Sequence, residues 1–370
     1  MRGRTTAVLL SLCVLLSSCS SLLDRSYSSV TPHLDKPSIA EDPSVLRVEN
    51  YRELVQAVLY LVNQGAQEGT IRFYDYPGDP AAALTAACAE VHTQDPLAAY
   101  AVDAIRQEVT RVVSHYEGRL AIEYRRTQEQ VQSIARVTGT GAIRGELRRA
   151  LGEYASEVLL RVTYFSENEV SLARLIRQVY YSDPLSALGL PQAEIHLYPD
   201  TGRDRVVEIL LTYPDRDLNA DRTALSQRVQ DITADWDPQT PEEALTLAAR
   251  ETGERADYDP QGPDNPLDTL REGKGNSEGL ALTFALLLDA AREDLSGLAC
   301  RVGEGFRKDT GEARFWNVVT VEGRTLYYDP VLGEDSFFTE EEFFDLGYRW
   351  EGGPQEPEET SQENPDSIVS

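Results

Sequence analysis

The spacing of apolar positions changes several times along this chain, and each change marks an element. Apolar residues recur at helical spacing over Tyr51–Asn63, then the pattern shortens to that of a strand over Thr70–Tyr76. A second helix is predicted over Ala81–His92, followed by Asp95-Pro96-Leu97, where proline blocks helix continuation. A hairpin is predicted next, Ile105–Tyr116 with Arg119–Tyr124, turning at Glu117-Gly118. The same order then returns. The pattern predicts a helix over Ile143–Tyr154, a strand over Val158–Phe165, a helix over Glu169–Tyr180 and a turn at Asp183-Pro184-Leu185. A second hairpin, Ala193–Tyr198 with Arg205–Tyr213, turns at Pro199–Gly202. At an offset of 88 residues, segments 72–102 and 160–190 agree at seven of 31 positions, including Leu84/Leu172, Asp95/Asp183 and Pro96/Pro184. Residues 46–236 therefore read as a duplicated α/β region, with copies at about 48–126 and 136–214 stacked in layers.

The back half has a different pattern. Thr240-Pro241-Glu242-Glu243 is a helix start, with Thr240 as cap, and opens a helix over Glu242–Thr252. Tyr258–Pro266 holds three prolines and no period, so a loop is expected there. Ser277–Arg292 is apolar on nearly every face, the mark of a helix buried inside its domain. Ser277 suits its N-cap, and Asn276 can share that role. A strand follows at Leu298–Phe306, then a polar loop at Arg307–Glu312. A hairpin, Ala313–Val321 with Arg324–Tyr328, turns on Glu322-Gly323 and ends at Asp329-Pro330. The expected fold class is α+β. Residues 238–350 form a buried central helix on an antiparallel sheet, with an apolar core of their own.

The two ends of the chain read differently. Arg2 and Arg4 precede an apolar run, Thr5–Leu16, that is too short to span a bilayer as a permanent helix. It ends in Leu16-Ser17-Ser18-Cys19, which resembles the lipobox of bacterial lipoproteins. That resemblance implies removal of residues 1–18 as a signal peptide and a diacylglyceryl group on Cys19. The body is then held at the extracytoplasmic face of the cell membrane. Residues 19–45 read as a flexible tether, and 351–370 as a disordered acidic tail.

The formal charge of −27 disfavours nucleic acid and anionic surfaces as partners. Cys88 and Cys300 lie in apolar stretches and are expected to be buried free thiols. No Cys or His spacing fits a metal site, and no cofactor is expected. The four histidines are His33, His92, His115 and His196, so the segment after residue 196 has no imidazole of its own.

Three short motifs carry a resemblance. Ser277-Glu278-Gly279 opens the apolar helix, Arg314-Phe315-Trp316-Asn317 lies on one predicted strand, and Tyr327-Tyr328-Asp329-Pro330 lies on the next. In order and spacing they resemble the Cys-Glu-Gly, His-Ala-Trp-Asn and Tyr-x-x-Asp-Pro motifs of the transglutaminase-like, papain-related superfamily. The resemblance covers about residues 262–348. It implies a triad at Ser277, Arg314 and Asp329 in which nucleophile and base have been replaced. Serine is far less acidic than cysteine, and arginine stays protonated and cannot act as a base. No catalytic residue is expected on this reading. Trp316, Asn317 and Tyr328 would line the old cleft, open to a peptide, protein or cell-wall ligand. A two-residue turn at Glu322-Gly323 makes Arg314 and Asp329 diagonal neighbours on one sheet face, so an ion pair is expected between them. Three functions stay open. One is a surface-anchored binding or scaffold module on an inactive domain. Another is a hydrolase or transferase using Ser277, with Lys274 or a histidine of the front half as base. The last is a solute-binding lipoprotein.

Overall fold

The computed structural model describes residues 45–165, 167–291 and 295–350. Cys19 with its lipobox, most of the tether and the acidic tail lie outside the described residues.

The first copy runs β1 (Val45–Val48), α1 (Tyr51–Asn63), β2 (Glu68–Phe73), α2 (Pro80–Gln94), α3 (Pro96–Ala101), β3 (Val102–Val112) and β4 (His115–Tyr124). After a short helix, α4 (Gln128–Gln132), the second runs β5 (Ala135–Thr138), α5 (Gly139–Gly152), β6 (Glu157–Thr163), α6 (Glu169–Tyr180), β7 (Gln192–Tyr198) and β8 (Arg205–Thr212). The two four-stranded sheets have matching orders, β1-β2-β4-β3 and β5-β6-β8-β7. Each opens with a parallel pair in matching register, Val45 facing Thr70 and Ala135 facing Leu160. The first strand of each copy escapes the sequence reading because four residues are too few for alternation to register.

Two local expectations are corrected. The first hairpin turns at Val113-Ser114, and Glu117 and Gly118 lie inside β4, opposite Arg72 and Ile71. Gly118 serves packing: a Cβ there would meet Leu84 Cδ2 at 2.7 Å and Phe73 Cε2 at 3.3 Å. The Asp-Pro-Leu motifs also differ between copies. Asp183-Pro184-Leu185 is a turn, but Pro96 starts α3, and Asp95 caps it by accepting the Ala98 N–H at 2.8 Å.

The chain divides into two compact units, residues 45–88 with 106–121, and residues 89–105 with 122–350. In the first unit, Leu54, Ala57, Val58, Ile71, Phe73 and Leu84 are buried. In the second, α5 and α6 cover one face of the β5–β8 sheet through Ile143, Leu147, Leu172, Ile176, Val207 and Ile209. Leu97, Tyr100 and Ala101 of α3 pack with Leu159 and Val206, which point from the other face.

The back half continues with α7 (Leu218–Thr233), α8 (Pro241–Arg255), β9 (Asp257–Tyr258), α9 (Pro266–Glu272), β10 (Lys274–Gly275) and α10 (Ser277–Ala291). It closes with β11 (Leu298–Arg307), β12 (Ala313–Val321), β13 (Arg324–Tyr328), β14 (Phe337–Phe338), α11 (Glu340–Asp345) and β15 (Tyr348–Trp350). The loop expected over Tyr258–Pro266 is shorter, residues 259–265, because Tyr258 ends β9 and Pro266 starts α9, which Asn265 caps. Strands β11 to β15 form a five-stranded sheet, β14-β13-β12-β11-β15, whose pairs are all antiparallel. Helix α10 lies on one face, where Phe284, Leu287 and Leu288 share a core with Val319, Val321 and Tyr328. Helices α7, α8 and α9 enclose its remaining sides through Leu225, Ala248 and Leu267. A second cluster covers the opposite face: Trp316, Tyr327, Phe343, Tyr348 and Trp350. The fold is thus α+β, with the buried helix and antiparallel sheet that the apolar pattern requires.

Candidate functional site

The site starts where α10 begins. Asn276, not Ser277, caps the helix: its side-chain oxygen accepts the Gly279 N–H at 3.0 Å. This corrects the expected N-cap by one residue. Ser277 is already helical and buried, and its Oγ accepts the backbone N–H of Phe315 on β12 at 3.3 Å. Gly279 is required here, since a side chain would overlap the Pro263 carbonyl and the Thr269 hydroxyl. Farther along, the Asn317 amide donates to the Ala281 carbonyl at 2.9 Å and fastens β12 to the helix.

The register of β12 on β13, with Asn317 opposite Tyr328, brings Arg314 and Asp329 together. Arg314 Nε lies 3.3 Å from Asp329 Oδ2, with side-chain exposures of 8% and 0%. The Tyr348 hydroxyl also donates to Oδ2, and the Val331 N–H donates to Oδ1 at 2.9 Å. Burial pushes the Asp329 carboxyl above its ordinary range, while Arg314, Tyr348 and Val331 hold it back. Arg314 Nε and Nη1 make no aligned hydrogen bond, so the contact is a charge pair rather than a bidentate fork. The guanidinium also stacks over the Tyr258 ring at 5.0 Å. Tyr258 in turn donates to Glu312 at 2.7 Å.

Arg314 stays protonated in the position that the resemblance assigns to the base. Lys274 faces elsewhere: its Nζ donates to Asp259 at 3.1 Å, and that partner holds the ammonium above its ordinary pKa. His92 contacts the Val102 carbonyl, and His196 pairs with Glu194. His33 lies outside the described residues.

The expected cleft wall is corrected. Trp316, Asn317 and Tyr328 are 0%, 0% and 1% exposed, so none lines an open cleft. Trp316 packs against Phe343, Tyr348 and Trp350, and Tyr328 stacks on Phe337 and meets Phe284 at a tilt. Neither Cys88 nor Cys300 is in a disulfide; Cys300 is half-buried rather than buried, and its Sγ accepts the Asn317 amide at 3.6 Å. Cys88 is buried, which pushes its thiol up to about 12.

Sequence reasoning gave no role to Tyr258, Tyr348 or Glu278. The first two reach the site from distant segments and have no local signal. Glu278 does have one, an acidic residue in the first turn of an apolar helix.

No family model matches this chain, and no curated protein matches it in sequence. Among solved structures it is similar to calcium-bound LapG of Legionella pneumophila, at 15% identity and TM-score 0.26, over 36% of this chain and 75% of that one. It is also similar to a TGase, at 9% identity and TM-score 0.24, over 57% of this chain and 60% of the other. A protease candidate from Parabacteroides distasonis aligns at 10% identity and TM-score 0.20, over 70% of this chain and 39% of that one.

Proposed function

We propose that this protein is a non-catalytic binding or scaffold module on a transglutaminase-like core. The lipid on Cys19 would hold it at the extracytoplasmic face of the cell membrane. The carrying observation is that Arg314, in the position the resemblance gives to the base, is buried against Asp329, on the strand whose Phe315 N–H the Ser277 Oγ accepts. A Cys–His or Ser–His mechanism needs a group that takes the nucleophile's proton. Arginine cannot take it, and Asp329 is already held by Arg314, Tyr348 and Val331. The motif order at Ser277, Arg314 and Asp329 supports the family reading, and the lipobox at Leu16–Cys19 supports the anchor. Among the described residues no helix is long and apolar enough to cross a membrane. A peptide, protein or cell-wall fragment is the ligand class that this reading favours, and the net charge of −27 favours neutral or cationic ones.

The test compares purified full-length protein with Ser277→Ala on peptide amides, with and without an amine acceptor. Equal background rates are expected. Turnover above background that disappears in Ser277→Ala would overturn the non-catalytic reading.

A further inference from the structure

Helix α7 ends at Thr233, and residues 234–240 carry the chain to the start of α8. The Trp236 N–H donates to the Thr233 carbonyl at 2.9 Å, and Pro238 and Pro241 fix φ along the connection, so its path is set in advance. A groove of about 720 Å³ lies between this connection and one face of α8, within the size range of ligand sites. Ile232, Trp236, Pro238 and Leu247 supply its apolar lining. Trp236 is half-buried against the core that holds Phe284, whereas the other two tryptophans, Trp316 and Trp350, are 0% and 7% exposed. The polar lining is acidic, and most of it is already engaged. Glu243 accepts the Gln239 N–H at 2.7 Å, Glu242 pairs with Arg324 at 3.1 Å, and Arg250 pairs with Glu251 at 3.4 Å. Asp237 uses only its backbone carbonyl, which accepts the Gln239 amide at 3.0 Å. The carboxylates of Asp235 and Asp237 flank Trp236 in the chain, are exposed, and have no polar partner among the described residues.

We propose that this groove binds a basic peptide segment, with an arginine side chain laid on the Trp236 ring and its charge shared by Asp235 and Asp237. The inference rests on the binding-module reading and gives it a place and a ligand chemistry. The lining selects the occupant. An indole face attracts a cation, and a planar guanidinium can stack on it while its edge N–H groups stay free for carboxylates. A lysine ammonium reaches the same groups only as a point charge. Ile232, Pro238 and Leu247 can receive the methylene stem of the arginine and its apolar neighbours in the peptide. The net charge of −27 draws a cationic peptide from solution, and the two unengaged carboxylates complement it at the groove. An anionic ligand would be repelled by the same two groups, and a neutral one would gain nothing from their charge.

The experiment titrates the purified full chain with the peptide acetyl-Ala-Arg-Ala-Arg-Ala-amide. A second peptide carries citrulline for arginine, which keeps the shape and removes the charge. Trp236 reports contact by fluorescence, since Trp316 and Trp350 are buried, and calorimetry gives the affinity. Saturable binding of the arginine peptide with a change in Trp236 emission is expected, about tenfold tighter than the citrulline peptide. Asp235→Asn combined with Asp237→Asn should weaken it about tenfold, and Trp236→Leu by about three- to thirtyfold. Glu341→Gln combined with Asp345→Asn removes the same charge from α11 and should leave binding unchanged. Equal weakening in the two double variants would mean diffuse attraction to an acidic surface and would overturn the groove. So would equal affinity for the citrulline peptide, or binding without a change in emission. A change in emission with an N-acetylglucosamine oligomer but not with the arginine peptide would make this a sugar site and overturn the proposal too. If Trp236→Leu does not fold, the Asp235 and Asp237 variant decides alone. Any of these failures leaves the non-catalytic reading standing, and amide turnover lost in Ser277→Ala would overturn that reading without touching the groove.

Discussion

Arg314 and Asp329 hold each other in the core, and removing one leaves the other without its counter-charge. Arg314 is 8% exposed, so water cannot replace the lost partner cheaply. Arg314→Ala is therefore expected to destabilise the fold by about 3–5 kcal/mol in urea unfolding. A loss under about 1 kcal/mol would mean that the pair is as well solvated as a surface bridge. At the helix start, Asn276→Ala should cost about 1 kcal/mol, since it removes the acceptor of the Gly279 N–H. Asn276→Asp should restore most of that, as measured by thermal unfolding. The ion pair was legible in the sequence because a two-residue turn fixes which residues of β12 and β13 share a face. The cap was not, because Asn276 and Ser277 are both good caps and only the position of Pro263 and β12 decides between them.

At the scale of elements, the sequence was most informative where the pattern was long. Helices α1, α6 and α10 and strands β8, β11 and β12 lie within a few residues of their expected ends. Short elements failed, since β1, β5 and α9 have too few residues for a period to form, and so did the long helix α7, whose four buried residues, Leu218, Leu225, Val229 and Ile232, make too sparse a stripe. The first hairpin failed because a glycine was read as a turn signal when close packing had selected it. Its real turn carries Val113, 96% exposed at φ 38°, a conformation that a β-branched residue adopts only under strain. Val113→Gly is expected to stabilise the protein by about 1 kcal/mol, and Gly118→Ala to destabilise it by about 1–3 kcal/mol through contact with Leu84 and Phe73. Thermal unfolding of the two variants checks both signs. The opposite ordering would return the turn to Glu117-Gly118.

At the scale of the molecule, the back half does not keep its core to itself. Leu282 of α10 is buried among residues of the second copy, including Leu172, Ile176 and Ile209. Leu188 and Leu218, both before residue 238, share the core that holds Phe284 and Leu287. Apolar faces like these are costly to expose, at about 1.5–3 kcal/mol for each large side chain. A fragment of residues 238–350 is therefore expected to lack a cooperative unfolding transition, monitored by circular dichroism, and a sharp transition would mean that its own core suffices. The sequence suggested a boundary here because the repeat ends near residue 214, but the end of a repeat does not show where side chains interlock. The central claim, that the Ser277 site lacks a base and cannot form a covalent intermediate, is tested most directly by a fluorophosphonate probe on the folded full chain. The adduct is then located by mass spectrometry. The account predicts no label on Ser277 at neutral pH. Stoichiometric labelling of Ser277, lost on denaturation before the probe is added, would contradict it.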